Sequence, residues 1–425
     1  MKILILSQYW FPENGVPQRR WTWLSSVLSE AGHEVTVVAP PPHYKRRISL
    51  SEWYKERGFS PSDELTEGCS GEMILRTGYF PSGKGLTRRI FNQGWNAIGM
   101  ARGVRKLRHR KRYHPDLVIG TVPAIPTSAV TFYAACKFRK PYIIDLRDAW
   151  PALFDEKRNW NEGTGKKSLR ERVLSWGAFP AMVWATKRCL NYVLRKSSCI
   201  VTTSEWLSRD ISADLRIPSF TVRNVFPSAQ CGTSALVAEK SDSLNVLYAG
   251  TLGRAQKLEN AVSAAKLAAD EGVTVKIRLI GDGAAWESIA HRAAELGVHV
   301  EMVHQKKPED LAEDYAWADT ALVHLTDWAS LKWAVPSKTY ELMTNQIHIT
   351  GVVTGETAHL IESFDAGDVV PPGKPGDLAR LWIELANDRQ RLAVGPRGKE
   401  WVELERNVRA PENFLRAIAA VGDKR

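Results

Sequence analysis

The stretch Val335–Met343, V-P-S-K-T-Y-E-L-M, sets a cation and a carboxylate where they could work together on a phosphorylated ligand. Pro336 is pre-organised for the start of a helix. The free N–H groups and positive dipole end of such a turn attract anions. Lys338 adds a point charge there. Glu341 lies three residues further on and projects from nearly the same face, one turn deeper. A carboxylate in that place can accept two hydrogen bonds from a ribose diol. An ordinary helix start with an exposed Lys–Glu pair has the same pattern, and the residues alone do not separate the two.

A second constellation is Tyr248–Lys257, Y-A-G-T-L-G-R-A-Q-K. Gly250 and Gly253 would let backbone approach a pyrophosphate, and Arg254 can grip one bidentately, with Lys257 beside it. The spacing is not G-x-G-x-x-G, so a dinucleotide fingerprint is absent. A strand-to-helix turn with solvated cations is the plain alternative. Near the N-terminus, Tyr9–Arg20 reads Y-W-F-P-E-N-G-V-P-Q-R-R. Arg19 and Arg20 open a helix, where positive charge opposes the dipole. That points to an anionic ligand or to simple surface charge. Asp145, Arg147 and Asp148 follow a strand and fit either a polar substrate or an internal ion pair.

Other features carry less. Gly78–Gly85, G-Y-F-P-S-G-K-G, is close to a P-loop, but Gly85 replaces the Mg²⁺-binding hydroxyl and no convincing strand precedes it. It is expected to be a flexible loop. No His/Cys cluster has metal-ligand spacing, and His33, His43 and His109 read as ordinary residues. The five cysteines (69, 136, 189, 199 and 231) are odd in number and lack C-x-x-C, so reduced thiols in a cytosolic protein are expected.

The elements that must hold these residues alternate. A chain of 425 residues exceeds one ordinary core, so two domains are expected. Ile3–Leu6, Val35–Val38, Leu117–Ile119, Tyr142–Ile144 and Cys199–Thr203 read as short buried strands, with a helix over Arg19–Glu30. A second series runs through Asn245–Tyr248, Val275–Ile280, Val298–Val303, Thr320–Leu325 and Ile347–Thr350. The Ser/Ala-rich stretch Ser228–Ser243 reads as the linker. The expected fold class is α/β, with two Rossmann-like, doubly wound parallel sheets over about 1–228 and 244–410. Ligands of such sheets lie beyond the strands' carboxyl ends, here in a cleft between the two domains.

Net charge is +11, which favours anionic partners. No apolar run reaches the roughly 18–20 residues of a transmembrane helix, and Ile3–Leu6 is too short for a signal peptide. Arg88 and Arg89 precede Phe91, Trp95 and Ile98 at helical spacing, followed by Arg102, Arg105, Lys106, Arg108, Arg110, Lys111 and Arg112. Lys166, Lys167, Arg170 and Arg172 precede Trp176, Phe179, Met182, Val183 and Trp184, a segment interrupted by Gly177 and Pro180. Basic flanks beside aromatics suit contact with an anionic membrane. No nucleic-acid module is present, and core packing under a solvated basic face is the plain alternative.

Together these motifs resemble the family-4 retaining glycosyltransferases of the GT-B fold, closest to the branch that builds bacterial surface polysaccharides on a lipid carrier. The resemblance covers essentially the whole chain. Tyr9–Arg20 is similar to Y-F-P-P-E-x-G-A-P-A-R-R, and 143–151 to E-x-R-D-L-W-P. Residues 249–258 are similar to G-N-x-G-x-A-Q-G-L. The most specific match is 335–343, to P-S-K-x-x-E-Y-M. The resemblance implies a UDP-linked NDP-sugar donor, a lipid-linked saccharide acceptor, no cofactor and no metal. It makes Glu341 the ribose contact and the second Glu of an E-x7-E motif, whose first Glu falls on Trp333. Gly15 and Gly253 would give backbone to the donor phosphates, and Arg254, Lys257 and Lys338 are the diphosphate candidates. The family's usual phosphate Lys falls on Gln256, next to Lys257. Arg147, where other branches carry a His, is the catalytic candidate together with Asp148 and Arg19. A C-terminal helix near 411–425 would return to the N-terminal domain. The implied location is the cytoplasmic face of the plasma membrane. A UDP-sugar 2-epimerase of the same fold and a catalytically silent nucleotide-sugar-binding protein are the rival readings.

Overall fold

The computed structural model describes residues 1–13, 15–43, 48–62, 64–81, 86–110, 113–154, 178–227 and 243–422. Lys111, Arg112, the basic segment Lys166–Trp176, Gly177, the linker over 228–242 and the end of the P-loop-like stretch lie outside these residues. The chain forms two compact units. The first takes in the N-terminal chain to Phe154, the chain up to Phe226 and, from Val408, the C-terminal end; Pro227–Asn407 belongs to the second.

In the first unit the strands are β1 (Lys2–Leu6), β2 (Glu34–Ala39), β3 (Leu65–Glu67), β4 (Met73–Arg76), β5 (Leu117–Val122), β6 (Tyr142–Leu146), β7 (Cys199–Thr202) and β8 (Ser219–Thr221). They form one sheet in the order β3-β4-β2-β1-β5-β6-β7-β8. All pairs are parallel except β3 with β4. Ile3–Leu6 are fully buried, as a strand covered on both faces requires. The helices are α1 (Val16–Glu30), α2 (Leu50–Lys55), α3 (Leu86–His109), α4 (Ile125–Phe138), α5 (Ala178–Lys196) and α6 (Glu205–Leu215). α4 packs on β5 and between α3 and α5.

Two sequence expectations change here. A strand, β4, does run into the Gly78 stretch, and the chain leaves 86 as one long helix. Pro180 does not break α5, because it sits in the first turn, where its missing N–H costs nothing.

The second unit has one parallel sheet in the order β11-β10-β9-β12-β13-β14. Its strands are β9 (Ser243–Ala249), β10 (Thr274–Ile280), β11 (Val300–Val303), β12 (Thr320–His324), β13 (Ile349–Val352) and β14 (Gly367–Val370). The helices are α7 (Glu259–Asp270), α8 (Trp286–Leu296), α9 (Ala312–Trp317), α10 (Ser337–Thr344), α11 (Glu356–Ser363), α12 (Pro375–Asn387) and α13 (Arg397–Leu404). α7 packs between α8 and α12, with Trp382 fully buried in the core they share with the sheet. After a π-helical turn at Glu405–Arg409 comes α14 (Ala410–Gly422), which packs in the first unit against β7, β8 and α1. There Asn413 Nδ2 donates to Thr221 O at 3.1 Å, and Phe414 meets Trp21 edge-on at 6.0 Å.

Candidate functional site

In each sheet the chain reverses its direction of growth at one point, between β1 and β5 and between β9 and β12. Loops beyond the carboxyl ends of such strands form the ligand crevice in this architecture. The candidate residues fall into two groups at these ends, one in each unit.

In the second unit the loop after β9 is laced to the loop after β10. Gly250 N–H donates to Ile280 O at 2.8 Å, Leu252 N–H to Asp282 O at 3.0 Å, and Ala285 N–H to Leu252 O at 2.9 Å. The G-D-G at 281–283 is what permits this. A Cβ on Gly283 would fall 1.9 Å from Leu252 O, and one on Gly281 would fall 1.7 Å from Gly250 O. Gly253 caps a 3₁₀ turn, Arg254–Gln256, and Lys257 closes it in the left-handed region at φ 40°. The side chains of Arg254 and Lys257 are exposed.

Lys338 and Glu341 lie in the first turns of α10, and Pro336 takes the capping position. The exposed Lys–Glu pair is ruled out. Lys338 keeps part of its surface in solvent, but its Nζ is sealed, has no hydrogen-bond partner and lies 3.3 Å from the centre of the Tyr248 ring. A Cβ on Gly250 would fall 2.9 Å from that Nζ, so the amine rests directly under the loop after β9. Burial holds its pKa well below the ordinary lysine value, against the opposing pull of Glu341. Glu341 is half-buried and accepts a hydrogen bond from Tyr315 Oη at 3.0 Å.

His324, the last residue of β12, completes the cluster. Asn260 Nδ2 lies 3.1 Å from its Nε2, and burial pushes its pKa down to about 3. It is therefore neutral near neutral pH. Trp333, where the resemblance places a Glu, is half-buried with the Lys332 ammonium 4.7 Å from its ring centre.

In the first unit Gly15 is the N-cap of α1, with an extended backbone. A Cβ there would meet only the far end of the Gln18 side chain, at 2.6 Å, so packing alone does not demand a glycine. Arg19 lies with its guanidinium carbon 4.6 Å from the centre of the Phe226 ring. Arg20 does not face a ligand. It is fully buried, pairs with Asp145 at 2.9 Å and donates to Val222 O at 2.7 Å and Asn224 Oδ1 at 3.1 Å. Trp21 Nε1 donates to the same carboxylate at 3.0 Å. The ion-pair alternative thus holds for Asp145.

It does not hold for Arg147. Its Nε and one terminal nitrogen are buried without a partner, and burial pushes the guanidinium down to about 10 despite the nearby Asp145. Asp148 keeps solvent contact, yet protein atoms crowd its carboxyl and raise its pKa against the pull of Arg147. Below Tyr9, a buried polar chain links Gln8 Nε2 to Asn92 Oδ1 at 2.9 Å and Asn96 Nδ2 to His43 Nε2 at 2.9 Å.

The sequence reading missed His324, Tyr315 and the Asn92–Asn96–His43 chain. Polar residues buried at strand ends and along a helix face were its only trace. Among the described residues, no group of three or more His, Cys, Asp and Glu side chains could hold a metal ion. No described helix is long and apolar enough to cross a membrane.

Two family models match the chain. The glycosyl transferase 4-like domain matches residues 15–224, and glycosyl transferases group 1 matches residues 236–401. No curated protein sequence matches it closely. Among solved structures it is similar to the sucrose-phosphate synthase of Thermosynechococcus elongatus, with 14% identity over 100% of both chains and a TM-score of 0.68. It is similar to Anabaena HepE in complex with UDP and glucose, with 12% identity over 99% of this chain and 100% of the other, TM-score 0.61. It is also similar to the lipopolysaccharide outer core galactosyltransferase WaaB, with 16% identity over 99% of each chain, TM-score 0.57.

Proposed function

This chain is a glycosyltransferase of the GT-B fold, and we propose that it moves a sugar, with retention at the anomeric carbon, from a UDP-linked donor to a lipid-linked saccharide. The observation that carries the donor half is the convergence of the Gly250–Lys257 loop with the first turns of α10. Glu341, steadied by Tyr315, takes the ribose hydroxyls. Arg254 and Lys257 take the diphosphate, with backbone from Gly253. UDP is favoured because HepE holds UDP and glucose.

Charge grows on the departing diphosphate in the transition state, and fixed cations placed there lower the barrier. The reading gives that task to protein cations and a helix N-terminus rather than to a metal. Arg147, with nitrogen atoms left unpaired, is assigned to a substrate oxygen. Asp148 is assigned to a sugar hydroxyl, and Arg19 to the same face of the first turn of α1.

A lipid-linked acceptor is supported by the helices of the first unit. Phe91 and Ile98 on α3 are 66% and 52% exposed, and Trp184 and Tyr192 on α5 are 63% and 53% exposed. Arg88, Arg102, Arg105 and Arg108 on α3 are exposed, and so are Arg188, Arg195 and Lys196 on α5. Exposed rings among cations suit the interface of an anionic membrane, which on this reading is the cytoplasmic face of the plasma membrane.

The test is incubation with radiolabelled UDP-glucose, UDP-galactose and UDP-N-acetylglucosamine, with and without a bacterial lipid extract. Label entering the lipid phase is the expected result. Isomerised sugar nucleotide without acceptor would replace the reading with an epimerase. Binding without turnover would replace it with a sugar-nucleotide-binding protein.

A further inference from the structure

We infer that the Lys338 amine is uncharged in the donor-free protein and takes up one proton from solvent as the donor diphosphate settles on the loop at 250–257. This rests on the donor reading above. It concerns how the charge arrives, not whether the site exists.

The geometry has three parts. Lys338 Nζ is shut off from water and has no hydrogen-bond partner. It lies over the Tyr248 ring, at the edge of a small cavity lined by Leu247, Leu322 and Leu342 among others. It lies against Gly250 of the loop at 250–257, where an added Cβ would fall 2.9 Å from it.

An ammonium ion in such a place loses its hydration with nothing polar to replace it. The Tyr248 face returns only a part of that loss to a cation. The cost exceeds the return, so the neutral amine prevails in the empty site.

The other titratable groups around it do not reverse this. Glu341, on the same helix, favours the charged form, but burial outweighs its pull. His324 of β12 is neutral, and Lys257 of the loop after β9 brings positive charge to that imidazole, so neither supplies negative charge to the amine. The Tyr248 phenol is pushed up by burial and donates to Thr251 O at 2.8 Å, so it supplies no negative charge.

A diphosphate arriving on the loop brings negative charge close to the amine and tips the balance. The proton comes from water and ends on Nζ, with no other bond made or broken. Donor affinity must then fall as pH rises above the pKa of the empty site, and level off above that of the filled one.

Calorimetric titration of the full chain with UDP-glucose, UDP-galactose and UDP-N-acetylglucosamine tests this. A sugar nucleotide has no ionisation of its own near neutral pH, so protons moving between buffer and complex belong to the protein. Binding heats in buffers of different ionisation enthalpy should show close to one proton taken up by the wild type and none by Lys338→Met. Binding without uptake, or uptake that persists in Lys338→Met, would overturn the inference and leave the donor reading intact. Binding of none of the three sugar nucleotides would overturn the donor reading itself. Should Lys338→Met fail to fold, the wild-type pH profile serves alone. Affinity should drop up to about tenfold per pH unit across the window, and a flat profile would sink the idea.

Discussion

The Tyr315 hydroxyl donates to Oε1 of Glu341 at 3.0 Å, joining α9 to the first turns of α10. The bond leaves the other carboxylate oxygen for a ligand and fixes the rotamer that presents it. A hydrogen bond to a charged group is worth about 1.5–3 kcal/mol. Glu341→Ala should therefore weaken UDP binding by about 10- to 100-fold. Tyr315→Phe removes only the support and should cost about 3- to 10-fold. Calorimetry on both variants checks this, and an unchanged affinity in Glu341→Ala would remove the ribose assignment.

Much of this frame could be read from the chain alone. Ile3–Leu6, Ile143–Ile144 and Val246–Tyr248 are unbroken apolar runs because their strands are covered on both faces, and the run itself marks the strand. β3, β8 and β14 escaped for the opposite reason: they are three or four residues long and half-exposed, so they carry no such run. At the site the limit was different. Arg20 was read from its place at a helix start, but its partner Asp145 is distant in sequence. Lys338 stood open between an anion site and an exposed pair because Tyr248, which covers it, lies on β9, far away in sequence. Local pattern gives residue type and rough position, and only the tertiary fold decides which charges are consumed internally.

Gly283 bears on the donor loop through backbone alone. Gly283→Ala drives a Cβ into Leu252 O, a carbonyl already used by Ala285. Overpacking of this kind costs about 1–3 kcal/mol, and the displaced loop should lose at least about tenfold in UDP affinity, since about 1.4 kcal/mol is a factor of ten. Gly376→Ala, where a new Cβ meets nothing within 4 Å, is the control and should leave both unchanged. Urea unfolding and UDP titration of the two variants report the difference.

The Arg20–Asp145 pair is predicted to be structural. Removing one partner strands a buried charge, so Arg20→Met should destabilise the first unit by about 3–5 kcal/mol. Arg20→Met combined with Asp145→Leu removes both charges and should recover much of that loss. If the single variant instead unfolds like wild type but loses activity, Arg20 is a ligand contact after all. Denaturant melts and initial rates on the same preparations distinguish the two.

On α3 and α5, exchanging Phe91, Trp184 and Tyr192 for serine should reduce sedimentation with vesicles rich in phosphatidylglycerol and leave the fold intact. Arg88→Glu and Arg188→Glu should act more strongly at low salt, since each basic residue near an anionic surface contributes about 1 kcal/mol and the attraction is screened within a Debye length. Equal binding to pure phosphatidylcholine vesicles would contradict an electrostatic component.

Lys338 should trade stability for function. Its amine binds a proton less readily folded than unfolded, since burial depresses its pKa only in the native state. The unfolded chain therefore holds more protons between the two values, and wild-type stability rises with pH across that window. Below the window the folded protein must bury a charge; above it the amine is neutral in both states. Lys338→Met removes the slope. Its gain over wild type should be largest on the acid side, of the order of 1–3 kcal/mol, and shrink towards the ordinary lysine pKa of about 10.4. Thermal melts across pH, set beside UDP-sugar titrations, should show a protein that is more stable and binds donor less well. Parallel stability profiles for the two proteins would mean that the amine is already charged in the empty site.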